Sequence, residues 1–157
     1  MPSIHLTTFI AAPIERVFDL SRHLAVYKYV FNGRKETFTA RSSNNLVTDG
    51  DTLTLTVKHL GKTRLVGLKI TNLKKPYFFT EEQSKGDLQS YRHDHHFKRI
   101  DNGTILIDVL DFGAPRDLVG KLIGNLYLKD YLEKLVLKRN EVIRQYAETE
   151  RWRAVLG

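Results

Sequence analysis

The sequence predicts an α+β domain, and three features of its patterning say so. Five short runs with strand character follow one another between Thr52 and Phe112, separated by turn residues. One long helical stretch, from Pro115 to about Tyr146, follows them. A further strand and a short helical insert precede them. A sheet and a helix each carry an apolar face, so each must cover the other. If the sheet curves, a cavity opens between the two, and function is expected there.

Ser3 to Ile10 alternates as a strand, with His5, Thr7 and Phe9 on one side and Ile4, Leu6, Thr8 and Ile10 on the other. Ala11-Ala12-Pro13 breaks it, and Pro13 suits a helix start. Ile14, Val17 and Phe18, with Leu20 and Leu24, give one or two short helices over residues 13 to about 25. Asn32-Gly33 reads as a turn, Arg34 to about Arg41 as a strand, Ser42 to Asn45 as a loop, and Asp49-Gly50-Asp51 as another turn. Leu53, Leu55 and Val57 then alternate with polar residues as a half-buried strand. Leu60-Gly61-Lys62 reverses the chain into a strand with Val66, Leu68 and Ile70 on one face, which Lys74-Lys75-Pro76 ends. Strands follow at Tyr77–Ser84, Gln89–Ile100 and Thr104–Phe112. Lys85-Gly86-Asp87 separates the first two, and Asp101-Asn102-Gly103 the last two. Asn-Gly supplies the positive φ that tight hairpins need. Tight turns between consecutive strands give an antiparallel meander.

The terminal helix carries two apolar faces. Leu118, Val119, Leu122, Ile123 and Leu126 lie on one; Leu128, Leu132, Leu135, Val142 and Tyr146 lie nearly opposite. A stripe cannot change faces in a straight helix, so a break or bend is expected near Asn125 to Lys129, with Gly120 and Gly124 loosening the first part into a flap.

At 157 residues the chain is expected to be one domain, 1–157, and its 41% hydrophobic content suits a folded core. There is no cysteine, which excludes disulfides, thiol nucleophiles and thiolate metal sites. No run approaches the about 18 apolar residues that span a bilayer. The start MPSIHLTTFI lacks the pattern of a signal peptide, so a cytoplasmic location is expected. Lys and Arg number 25 against 18 Asp and Glu, a net charge of +7, but the basic residues are dispersed. The surplus reads as a solvated basic surface, and no specific nucleic-acid partner is expected. Nothing marks a strong self-association face, which leaves a monomer or a weak homodimer. No Ser-His-Asp spacing, phosphate loop or dinucleotide fingerprint is present.

Several stretches resemble one superfamily. These are FIAAPIERVFDL near the start, KHLG at 58–61, the Phe-x-Glu-Glu-Gln-x-x-x-Gly pattern at 79–86, YRHDHHF at 91–97, GTILIDVLDFGAP at 103–115, and Lys138-Arg139-Asn140 on the terminal helix. In this order they are similar to START-like ligand-binding domains, the SRPBCC or helix-grip superfamily, which includes polyketide cyclases, coenzyme Q-binding proteins, lipid carriers, plant pathogenesis-related proteins and a ribosome-associating toxin. The resemblance implies a helix-grip fold, an antiparallel sheet of about six to seven strands curved around the C-terminal helix, enclosing a cavity for an apolar molecule. It does not imply one reaction.

Candidate site residues follow from strand phase. Tyr91, His93, His95 and Phe97 share a face, taken as the inner one because of Phe97. On the next strand Leu106, Asp108, Leu110 and Phe112 share a face, and an inward Asp108 would approach His93 or His95 across the hairpin. Such a pair would serve as ligand anchor, as general acid and base, or as a purely structural network. Glu81 and Gln83 alternate with Phe79 and belong to a pocket wall by the resemblance. His59 is in phase with Leu55 and Val57, and either looks inward or is a satisfied strand-end histidine. Arg139 falls inside the second helix stripe, where it would meet an anionic headgroup, pair with Glu81, or snorkel to the edge. Tyr131 would offer a hydroxyl or pack. His93 and His95 with Glu81 or Asp108 would suit zinc, but two histidines two apart on a strand are thin support, and no metal or cofactor is expected.

The sequence thus favours a protein that carries or sequesters a small hydrophobic or amphipathic molecule. A cyclase, dehydratase or hydrolase using His93, His95 and Asp108 is the first alternative. A basic module docking on RNA, ribosome or membrane, with affinity falling steeply in salt, is the second.

Overall fold

The computed structural model describes residues 2–31, 38–40, 45–59, 62–116 and 118–157. In chain order the elements are β1 (Ser3–Ile10), α1 (Ile14–Ser21), α2 (Leu24–Phe31), β2 (Phe38–Ala40), β3 (Thr52–His59), β4 (Lys62–Lys74), β5 (Phe78–Lys85), β6 (Tyr91–Ile100), β7 (Gly103–Phe112), α3 (Leu118–Ala147) and α4 (Trp152–Leu156). The strands form one seven-stranded sheet in the order β1-β7-β6-β5-β4-β3-β2, with every neighbouring pair antiparallel. The meander from β3 to β7 is as expected, and β1 returns to pair with β7 at the sheet edge.

Alternation decides which side chains face the helices. On β7 the even positions from Thr104 to Phe112 are buried and the odd ones are half-covered. On β1 the inner positions are Ile4 and Ile10, with Leu6 and Thr8 partly covered, as the pattern predicts. The main core joins Phe18 of α1, Tyr27 of α2, Phe79 and Phe97 of the sheet and Ile143 of α3. Phe18 meets Phe79 and Phe97 edge-on at ring distances of 5.8 and 5.1 Å. A smaller cluster of Ile4, Leu110, Phe112, Leu132 and Val136 closes the other end. Half-buried Tyr91 packs against both.

The β6–β7 hairpin forms where Asn-Gly placed it, with Ile100 opposite Gly103 and Asp101-Asn102 as the loop. Its turn chemistry differs from expectation. Among the described residues the only non-glycine positive φ is at Asn72, inside an irregularity of β4, so Asn102 does not take a left-handed conformation. Gly103 is needed for another reason: a Cβ there would run into the Ile10 carbonyl.

Two helical expectations need correction. The insert is longer than residues 13 to 25 and ends at Phe31, which carries Tyr27 into the interior. And α3 runs for 30 residues without interruption, so of the break or bend expected near Asn125 to Lys129 the break is absent. Of the first face Leu126 is the described member, and it stays 85% accessible, while Leu132, Val136, Ile143 and Ala147 are buried. An exposed leucine costs a helix little. The buried stripe runs through Val136 and Ile143, whereas Leu135 and Tyr146 are only partly covered.

The short α4 escaped the sequence reading. It packs Trp152, Val155 and Leu156 on the main core, and the Arg16 guanidinium lies 4.2 Å above the Trp152 ring. Arg16 also donates to the Ala147 carbonyl, and Glu148 accepts from the Ala11 N–H, which ties the end of α3 to the start of α1. Among the described residues no helix is long and apolar enough to cross a membrane. The expected turns at Asn32-Gly33 and Leu60-Gly61, and the strand and loop residues outside 38–40 between Arg34 and Asn44, lie outside the described residues.

Candidate functional site

Three adjacent strands project polar side chains onto the helix-facing side of the sheet. Glu81 of β5 pairs in register with His93 of β6, and His95 of β6 pairs with Asp108 of β7. Residues directly opposite on neighbouring strands hold their Cβ atoms about 5 Å apart, so the four must meet. They do: His93 Nε2 donates to Asp108 Oδ1 at 2.8 Å, and His95 Nδ1 donates to the same oxygen at 2.9 Å. On the opposite side of the rings, His95 Nε2 stands 3.3 Å from Glu81 Oε1 and His93 Nδ1 stands 3.9 Å from Glu81 Oε2. The two imidazoles lie 3.8 Å apart, and Phe79 packs 4.5 Å from His95.

The helices close the cluster from above. Arg139 of α3 donates to His95 Nε2 at 2.9 Å and to the Ser21 carbonyl at 2.5 Å, and stands 3.3 Å from Glu81 Oε1. Asn140 donates to Asp108 Oδ2 at 2.7 Å and to Thr8 Oγ1 at 3.0 Å. The Tyr27 hydroxyl of α2 donates to Glu81 Oε1. All six side chains from Glu81, His93, His95, Asp108, Arg139 and Asn140 are buried.

Charges this deep survive only when paired and hydrogen-bonded. Burial by itself would raise the Glu81 carboxyl, but the Arg139 guanidinium together with His95 and His93 outweighs it and holds the group well below the usual carboxylate range. Asp108 likewise is pushed up by burial and pulled further down by its bonds from His93 and His95. Burial lowers His93, with His95 adding to the effect and Asp108 opposing it. The phenols of Tyr27 and Tyr91 are raised by burial and by Glu81. With Arg139 donating to His95 Nε2, the proton that His95 shares with Asp108 sits on Nδ1. His93, giving Nε2–H to Asp108, carries its lone pair on Nδ1.

A cavity of about 40 Å³ lies beside the cluster. Glu81, His93, Arg139, Tyr27 and Tyr91 form its polar border, and Val30, Leu68, Leu135 and Val136 its apolar one. A groove of about 470 Å³ at the sheet end is lined by Gln83, Lys85, Ser90, Tyr91, Arg92 and Arg116, among others. Tyr91 borders both spaces.

Of the residues named from sequence, the structure gathers Glu81, His93, His95, Asp108 and Arg139 into one network and sets Tyr91 at its rim. Gln83 is not part of it: its amide donates to the Leu88 carbonyl at 2.9 Å and it lines the outer groove. Phe97 belongs to the aromatic core. Tyr131 packs with the smaller apolar cluster. His59 ends β3, and its side chain lies outside the described ones. Arg139 does not snorkel; it turns inward to Glu81. Tyr27 and Asn140 were missed. Tyr27 lay beyond the expected helix end, although Val26, Tyr27 and Val30 have helical spacing. Asn140 follows the charged Arg139, and its phase with Val136 and Ile143 was the available signal.

No family model matches the sequence, and no curated protein sequence matches it. Solved structures do. TTHA0849 from Thermus thermophilus superposes with a TM-score of 0.67 at 18% identity, covering 99% of this chain and 100% of that one. A START superfamily protein from Mycobacterium smegmatis gives 0.66 at 16% identity, over 91% of this chain and 97% of that one. The di-domain ARO/CYC StfQ from the steffimycin biosynthetic pathway gives 0.74 at 10% identity, over 93% of this chain and 50% of that one. The fold of this chain is therefore the START-like helix-grip α+β fold that its motifs resemble.

Proposed function

From a helix-grip fold that sets a buried polar network against an apolar-walled cavity, we propose that the chain binds a small hydrophobic or amphipathic molecule between its sheet and α3, as a carrier or sequestering protein and as one domain. The observation that carries this reading is the two-sided border of the cavity. Val30, Leu68, Leu135 and Val136 supply apolar surface, and Glu81, His93 and Arg139 converge from three elements beside it. Small-molecule sites usually combine a few placed polar groups with a mostly apolar wall. At about 40 Å³ the space holds about one water as it stands, so an organic ligand requires the sheet and helices to part around it. Tyr91 would act as the outer wall, being common to the cavity and the groove. The like fold of a START superfamily protein and of an ARO/CYC domain supports the choice of ligand class.

An enzyme is the second reading, favoured by one observation. His93 lines the cavity and its Nε2–H is held by Asp108, which leaves Nδ1 as the basic nitrogen of an oriented imidazole.

Organic-solvent extraction of the purified protein, followed by mass spectrometry, tests the first reading. A stoichiometric apolar compound is the expected result, and a protein that arrives empty and takes up no lipid or polycyclic compound would overturn it. With that compound in hand, His93→Gln separates the two readings: a carrier keeps its affinity within a few fold, whereas an enzyme keeps its ligand and loses turnover.

A further inference from the structure

We propose that Glu81, His93 and His95 form a three-ligand site for a divalent transition-metal ion of the zinc class, with its fourth position toward the cavity. Their donor atoms all lie within 4.8 Å of one another and the three residues are buried. A tetrahedron with 2.0–2.2 Å bonds has edges of about 3.4 Å. The His95 Nε2–Glu81 Oε1 separation of 3.3 Å already matches that edge, and His93 Nδ1 stands 3.9 Å from the other oxygen of the same carboxylate.

The second layer makes the argument stronger than residue types alone. Asp108 Oδ1 accepts hydrogen bonds from both rings, from His93 Nε2–H and His95 Nδ1–H. This fixes each tautomer so that both lone pairs, on His93 Nδ1 and His95 Nε2, point to the Glu81 side. Asn140 and its partner Thr8 hold the other Asp108 oxygen. A carboxylate that orients ligating imidazoles is the usual outer shell of such a site.

Arg139 is the competing cation. Its terminal nitrogen lies 2.9 Å from His95 Nε2, the lone pair the metal would use. Its Nε is buried without a hydrogen-bond partner, so the guanidinium is incompletely matched to this position. Metal binding would break the contact to His95 while Arg139 kept the Ser21 carbonyl.

The test uses the full chain after chelation and dialysis, titrated with Co²⁺ alone and followed by visible absorption and metal analysis. One Co²⁺ per chain with four-coordinate absorption is expected. Glu81→Gln and His93→Gln should each weaken it by more than about tenfold, and Asp108→Asn, acting through the rings, by about 10–100-fold. Arg139→Met should bind more tightly and gain thermal stability on metal addition. The wild type is also read by imidazole ¹⁵N shifts on adding Zn²⁺, which needs no folded variant. Movement at His93 Nδ1 and His95 Nε2 supports the site. Absence of stoichiometric Co²⁺, shifts confined to other histidines, or Glu81→Gln and His93→Gln binding as tightly as wild type would overturn it. The inference stands apart from the organic-ligand reading, whose extraction experiment is unaffected by either result.

Discussion

Arg139 and Glu81 illustrate what a buried ion pair does at the scale of single residues. Each is tolerable in the interior because of the other, and removing one partner leaves an uncompensated charge. Arg139→Met is therefore expected to destabilise the metal-free protein by about 3–5 kcal/mol in urea unfolding, and Glu81→Gln combined with it should recover much of the loss. If the double variant were as unstable as the single, the pair would not be what holds the two groups in place. The acid limb of stability follows from the same network. Glu81 and Asp108 have folded values depressed below the ordinary carboxylate range of about 4, so their stabilisation is present above that pH. It is lost as pH falls toward the folded values, because the unfolded state then binds more protons. Unfolding free energy of the chelated protein should drop steeply below about pH 4, and less steeply in Asp108→Asn.

At the scale of elements, the hairpin and the long helix show which parts of the sequence were legible. Period two on β6 and β7, pinned by the turn at Asp101-Asn102, was enough to bring His93, His95 and Asp108 together. The phase of Glu81 with Phe79 extended the site to β5. What periodicity could not supply was how much apolar surface a helix leaves in water. Two leucine faces on α3 read as two burials and hence a break or bend, whereas the helix is continuous, with Leu132 and Val136 buried and Leu126 exposed. Tyr27 fell outside the expected helix, which was ended near residue 25 although no stop signal precedes Asn32-Gly33. The faces of α3 are checked by substitution. Leu132→Ala should cost about 2–5 kcal/mol as a core cavity, while Leu126→Lys should stay within about 0.5 kcal/mol. In the hairpin, Gly103→Ala should cost about 1–3 kcal/mol, since the added methyl meets the Ile10 carbonyl and forces overpacking.

For the whole molecule, the order of motifs along the chain was more informative than any one of them, because it specified a meander closed by a helix. The identity of the ligand was not legible. A cavity border assembles from α2, β4, β5, β6 and α3, residues far apart in sequence whose joint shape no local pattern encodes. The polar network was only half legible for the same reason: strand phase brings the sheet residues together, but the helix residues that complete it, Arg139 and Asn140, depend on how α3 lies over the sheet. Methyl-resolved NMR during titration with 1-anilinonaphthalene-8-sulfonate, an apolar anion, tests most directly whether that interior space accepts an amphipathic molecule. The account predicts shifts at Val30, Leu68, Leu135 and Val136 that saturate at one equivalent. Shifts confined to exposed residues such as Leu126 and Leu137, with the four cavity residues unmoved, would contradict it.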